Sequence, residues 1–229
     1  MKIIDNEALY QRNMRVAFIA NIVGMFMLLA AVFVLFNSPG QLLRYFAFLL
    51  GGILLMQVGV FFGRWGKRAD LSFNRALKSL DNKHTIYHHR SPAQHLLVGP
   101  NGIWILLPKH VQGEISYNKN KQVWKVSGGN LASRFWRRLT QEKIGRPHFE
   151  AMIEAGSLDR FLQKHWTTDD PLHVQAAVVF LHGDVTVNAG DSPFPAVQIK
   201  KLKAALQNGE KKGKLTTNQV KQLQHILDS

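Results

Sequence analysis

The sequence predicts an α/β membrane protein: an N-terminal transmembrane helical hairpin, then one α/β domain with a mixed central sheet flanked by helices. Three observations carry this reading. Two long, uncharged apolar runs stand close together near the N-terminus. Behind them, short apolar runs bounded by Gly, Pro and Asn alternate with stretches of helical periodicity. The rest of the 229 residues leaves length for one ordinary domain, enough to bury a core.

Residues 1–15 form a short polar lead. The first apolar run, Val16 to Phe36 (VAFIANIVGMFMLLAAVFVLF), has no charge and one strongly polar residue, Asn21. At 1.5 Å per residue it reaches about 32 Å, enough to cross a hydrocarbon core of about 30 Å. The second, Tyr45 to Gly63 (YFAFLLGGILLMQVGVFFG), contains only Gln57 as a strongly polar residue. Backbone polar groups must be satisfied internally in lipid, so both runs are expected to be helices. The link NSPGQLLR is short, which makes 16–36 and 45–63 an antiparallel hairpin. The first run is too long for a signal-peptide core, and a second span follows it directly. Asn21 and Gln57 fall at similar depths and are expected to face each other or a common partner. Lys2, Arg12 and Arg15 precede the first span, Arg64, Lys67 and Arg68 follow the second, and only Arg44 lies between. The positive-inside rule places both termini and the domain in the cytoplasm, on a multi-pass protein of a plasma membrane.

The domain occupies 64–229. Asp70 to Leu80 has a helical apolar stripe, with Asp70 in the first turn where negative charge suits the dipole. His84 to His89 reads as a strand. Gln94 to Val98 and Ile103 to Leu107 are apolar runs joined by Gly99-Pro100-Asn101-Gly102, strong hairpin punctuation. Gly113 to Tyr117 and Val123 to Val126 continue the strand series, and Arg134 to Lys143 is a basic, short helical piece. Pro147 opens a helix running to Lys164. Val174 to Leu181 is a buried strand, and Val185 to Val187 a short one. Gln198 to Leu206 and Thr217 to Leu227 are amphipathic helices, the last capped by Thr217 or Asn218.

The chain has no cysteine, which excludes disulfides, Cys-ligated zinc and thiol catalysis. There is no Walker sequence, nucleophile elbow or Ser-His-Asp order. The formal charge is +14; 25 basic and 13 acidic residues fall from residue 64 onward, leaving +12 on the domain. Such a charge draws phosphate, in nucleic acid or anionic lipid headgroups. Arg134-Phe135-Trp136-Arg137-Arg138 interleaves arginines with aromatics, a pattern that suits phosphates and stacked bases, a headgroup-level helix, or an ordinary helix with two core aromatics. His84, His88, His89, His95 and His110 gather around the hairpin. On a strand His84 and His88 share a face and His89 points away. Imidazoles suit zinc or nickel, but no standard ligand spacing such as HExxH is present, so these rings read as polar strand ends and no metal is assigned.

The run QHLLVGPNGIWILLPKHVQGEI, with Arg146-Pro147-His148-Phe149-Glu150 and VQAAVVFL in order behind it, resembles the nuclease-related domain (NERD), a relative of the restriction-endonuclease-like PD-(D/E)xK fold. The resemblance covers nearly all of 68–227. It implies a divalent metal held between an Asp on one strand and a Glu on the next, an acid on the first helix, and a Lys two residues after the Glu. The matching positions here are Gln94, Leu107 and Lys109, with Asp70 near the helical acid. The resemblance therefore implies a degenerate fold without catalysis, resident metal or cofactor. It would act as a binding or scaffolding module whose partners are membrane lipid, nucleic acid or other membrane proteins. Lys109, Arg134, Arg137 and Arg138 are its phosphate-binding candidates. Lys109 is expected to meet Asp70 or stay free for a phosphate. The first acid after His95 is Glu114, beyond the strand that needs one. Two rival readings stay open: a nuclease using Mg2+ in a rearranged site, and a structural component of a membrane complex.

Overall fold

A computed structural model describes residues 1–38, 40–63, 68–128, 144–166, 172–208 and 213–228. The chain divides into two units: Asn6–Arg68, and Met1–Asp5 together with Ala69–Ser229.

The first unit is a helical hairpin of α1 (Glu7–Asn37) and α2 (Leu42–Gly63). Both helices are long and apolar enough to cross a membrane. α1 starts nine residues before the apolar run because Asn6 caps it, its Oδ1 accepting from the Leu9 N–H at 3.1 Å. Its buried positions are Asn13, Ala17, Ala20, Gly24 and Ala31; those of α2 are Gly52 and Gly59. These small residues recur at three, four and seven, the spacing of a left-handed antiparallel pair. At the crossing the backbones nearly touch: a Cβ on Gly24 would stand 3.0 Å from the Gly52 carbonyl oxygen, and one on Gly52 would stand 3.0 Å from that of Gly24. Such close approach gives helices the packing that hydrophobic burial cannot provide in lipid. Asn21 seats its amide over Gly59, so its level partner on α2 is a glycine, two residues beyond Gln57.

The second unit opens with β1 (Lys2–Asp5), a strand the sequence did not announce. It pairs in parallel with β2 (Thr85–His88), Lys2 opposite Thr85. The terminal ammonium donates to the Leu80 carbonyl at 3.2 Å, and Lys2 pairs with Asp228 at 2.9 Å. Residues 1–5 thus belong to the second unit, and the hairpin is an insertion between its first and second strands. Next come α3 (Arg68–Leu77), β2, β3 (His95–Gly99) and β4 (Gly102–Lys109). β2, β3 and β4 form an antiparallel meander. Gly99 faces Gly102 across the GPNG turn, and Gly102 takes a φ of 112°, which a side chain would resist. α4 (Pro147–His165) then crosses to β7 (Val174–Phe180), parallel to β4, and β9 (Ala196–Gln198) completes a six-stranded sheet in the order β1-β2-β3-β4-β7-β9.

The single mixed sheet of the sequence reading needs one correction. β5 (Gly113–Asn118), β6 (Val123–Ser127) and β8 (Val185–Asn188) form a separate three-stranded sheet in the order β6-β5-β8. The closing pieces are a 3-10 turn at Ile199–Lys201, α5 (Leu202–Gln207) and α6 (Thr217–Asp228). The cap of α6 is Thr216, one residue earlier than expected: its hydroxyl accepts from the Gln219 N–H at 3.3 Å, and the Gln219 side chain accepts from the Thr216 N–H at 2.8 Å.

Strand alternation sorts the main sheet's side chains into two cores. Phe73 and Leu77 of α3 and Leu202 and Leu206 of α5 pack on Ile86, Leu97, Trp104 and Leu106. On the other face, Ala151, Leu158 and Leu162 of α4 and Val220, Leu223 and Leu227 of α6 join Leu96, Val98, Ile105 and Leu107 in one core.

Candidate functional site

Two polar clusters lie at one end of the main sheet, where β2 and β4 finish and β3 begins. They stand on opposite faces, because each belongs to a different alternation class.

The face toward α4 carries the positions singled out by the family resemblance. Leu107 is buried in the core, 3% exposed, and ligates nothing. Gln94 is exposed and precedes β3 instead of lying on it; its backbone N–H donates to Glu154 Oε2 at 3.2 Å. Lys109 Nζ donates to both carboxylate oxygens of Glu150, at 2.7 and 2.8 Å. The expectation that Lys109 meets Asp70 or stays free is therefore corrected. Asp70 belongs to α3, on the other face. Acids do approach Lys109, from a source the linear reading passed over. Glu150 and Glu154 stand four apart in the first half of α4, so they share a helix face. Burial pushes the Glu154 carboxyl up to about 7; the Gln94 N–H and Lys109 pull it down, and Glu150 raises it further. Glu114, the first acid in sequence, instead accepts from Asn188 Nδ2 in the small sheet at 2.8 Å.

The face toward α3 holds Asp70, His88, His89 and His95. His88 and His95 are direct cross-strand partners, so their rings lie side by side. Their Nδ1 atoms are 2.9 Å apart. Asp70 Oδ1 stands 3.4 Å from His95 Nδ1, 3.6 Å from His88 Nδ1 and 3.8 Å from His89 Nε2. On the far side of its ring, His88 Nε2 meets Asn74 Oδ1 at 3.0 Å, one turn along α3 from Asp70. Phe73 closes the cluster from below, its ring 5.0 Å from that of His95. His88 and His95 are essentially inaccessible to solvent, and Asp70 is 6% exposed. Burial pushes His88 down to about 4, His89 adding to the shift. Burial, with His88 and His89, holds His95 well below the ordinary histidine range.

The sequence reading had His89 pointing away from His88. It does not, because His89 lies just past the end of β2 at a φ of 53°, and this left-handed turn brings its ring back toward Asp70. Nor does His84 share the cluster; it precedes β2 and its Nδ1 pairs with Asp81 at 2.5 Å. The signal available in sequence was HH followed six residues later by another His, once Gln94–Val98 and His84–His89 are paired as a hairpin. Arg134, Arg137 and Arg138 lie outside the described residues.

A separate cavity of about 760 Å³ opens beside the small sheet, lined in part by Tyr117, His148, Phe149 and Phe194, and touches neither cluster. No protein-family model, curated protein or solved structure matches this chain.

Proposed function

We propose that this protein is a membrane-tethered module with a degenerate restriction-endonuclease-like core, which binds polyanions without cutting them. The observation that carries the proposal is the state of the metal-ligand positions. An exposed amide, Gln94, and a buried leucine, Leu107, stand where carboxylates are needed, and Lys109 is already engaged by Glu150. The family resemblance draws support from order: the GPNG hairpin, the helix begun at Pro147 and the following strand come in the sequence it calls for. Attraction to nucleic acid or anionic headgroups rests on the +12 formal charge from residue 64 onward, concentrated on the domain that follows the hairpin. Membrane tethering rests on the two apolar helices. β1 and the remainder of the sheet belong to one unit, so two crossings return the chain to the side it left. The basic flanks make that side the cytoplasm of a plasma membrane.

A second reading is favoured by one observation. Glu150 and Glu154 reach the Lys109 face from α4, so a nuclease whose acids have moved from strand to helix is the direct rival. Incubating the detergent-solubilised full-length protein with DNA and RNA, in Mg2+ or Mn2+, separates the two. The expected result is binding that weakens steeply with salt and no cleavage. Metal-dependent cleavage abolished by either Lys109→Ala or Glu150→Gln would establish the rival instead. Failure to bind either polymer or anionic vesicles at low salt would leave only scaffolding among membrane proteins.

A further inference from the structure

The Asp70 cluster belongs to no part of the proposed polyanion-binding role, and its geometry is that of a coordination shell. We propose that Asp70, His88 and His95, with His89 as the fourth ligand, form a buried site for one divalent first-row transition ion, zinc foremost.

Distances are the first argument. Ligands at about 2.0–2.2 Å from a tetrahedral zinc stand about 3.3–3.6 Å from one another. The contacts from Asp70 Oδ1 to three imidazole nitrogens are 3.4, 3.6 and 3.8 Å, and the two Nδ1 atoms are 2.9 Å apart. One ligand atom from each of Asp70, His88 and His95 lies within 4.8 Å of the others. A sub-ångström adjustment closes these three on an ion, and rotation of the His89 ring, at the rim of the cluster, supplies the fourth corner.

Tautomers are the second. A ligating nitrogen needs a free lone pair, which is fixed by what the other ring nitrogen does. Asn74 Oδ1 accepts from His88 Nε2–H, so the neutral ring turns the lone pair of Nδ1 toward Asp70 and His95. Asn74 is thus a positioning residue, not a ligand.

Ligand chemistry gives the class of ion. Three imidazoles and one carboxylate suit zinc, with cobalt or nickel as substitutes; magnesium and calcium prefer oxygen shells. Four protein ligands and near-complete burial describe a closed, structural site without an open position for substrate. The ion would join the start of α3 to the facing ends of β2 and β3.

The test uses full-length protein purified in detergent without a histidine tag, stripped by chelator, and titrated with Zn2+ or Co2+. One equivalent should bind, cobalt should give the intense visible bands of tetrahedral coordination, and zinc should raise the melting temperature. His88→Gln with His95→Gln should abolish all three responses, while the remote His165→Gln should preserve them. Should the double variant fail to fold, Asn74→Leu and His89→Gln act at the margin of the cluster. Each should still fold and should weaken zinc binding roughly 10- to 100-fold. The proposal is overturned if the wild type binds no more zinc than these variants, or if cobalt gives only the weak bands of a hydrated octahedral ion. The cluster would then be a hydrogen-bonded polar core. Neither result bears on polyanion binding, which is measured separately.

Discussion

Lifting the Glu154 carboxyl to about 7 makes it a source of pH-dependent instability. Between its ordinary value of 4.5 and about 7, the folded protein keeps a proton that the unfolded chain has released. Stability contributed by this group therefore falls as pH rises through that window. Glu154→Gln removes the titration and keeps an acceptor for the Gln94 N–H. The variant should melt at the same temperature as the wild type near pH 4.5 and higher at pH 8. The gain is bounded at about 3 kcal/mol and reduced by solvent at the half-buried side chain. A difference that does not change with pH would mean Glu154 titrates as an ordinary carboxyl. His88 works in the opposite sense. Its value is depressed to about 4, so its contribution is full above the ordinary histidine value of 6.5 and is lost as pH falls toward 4. In the absence of metal, His88→Gln should narrow the drop in melting temperature between pH 7 and pH 5.

At the scale of elements, the structure relies on short local devices. Thr216 and Gln219 form a reciprocal cap on α6, whose Val220, Leu223 and Leu227 complete one core. Thr216→Ala should cost about 0.5–2 kcal/mol in denaturant unfolding of the second unit, and Thr216→Ser almost nothing. In the hairpin, Gly24 leaves no room: a Cβ there would lie 3.0 Å from the Gly52 carbonyl and 3.0 Å from the Met56 side chain. Gly24→Leu should force α1 and α2 apart, at about 1–3 kcal/mol by analogy with overpacked cores. Disulfide trapping between cysteines placed at Ala17 and Gly63 should slow markedly in that variant; unchanged trapping would show that the helices do not pack through these glycines. β1 shields one edge of the sheet. Deleting residues 1–5 should expose the β2 edge and raise aggregation, read by light scattering.

For the whole molecule, topology and charge are the measurable properties. The native chain has no cysteine, so single cysteines at Ser38 and Ser229 report cleanly. Impermeant reagent should label Ser38→Cys in intact cells and Ser229→Cys only after the membrane is opened. The reverse pattern would overturn the cytoplasmic assignment and remove nucleic acid as an accessible partner. If nucleic acid binds, neutralising Arg134, Arg137 and Arg138 together should lower both affinity and the slope of log affinity against log salt, by up to roughly three counterions. An unchanged slope would place the contact elsewhere on the domain.

The sequence by itself determined whatever is set by a local period or a local turn. Uncharged runs about as long as a hydrocarbon core is thick made α1 and α2 legible, and GPNG fixed the β3–β4 hairpin. Leu107 and Lys109, two apart on a strand, were bound to share a face. Tertiary structure decided what depends on pairing between distant segments. Residues 1–5 are too short to read as a strand, and become one only because β2 offers its edge, Lys2 pairing with Thr85 far along the chain. Glu150 and Glu154 are unremarkable on a helix until α4 packs them beside Lys109, 41 residues earlier in the chain. His88 and His95 become neighbours through strand register, and His89 joins them through one left-handed residue that breaks the alternation on which sequence reading depends. Asp70 meets them only because α3 folds onto that face. Local patterns carry the geometry of single elements; which side chains converge is fixed by long-range packing, and no period in the sequence encodes it.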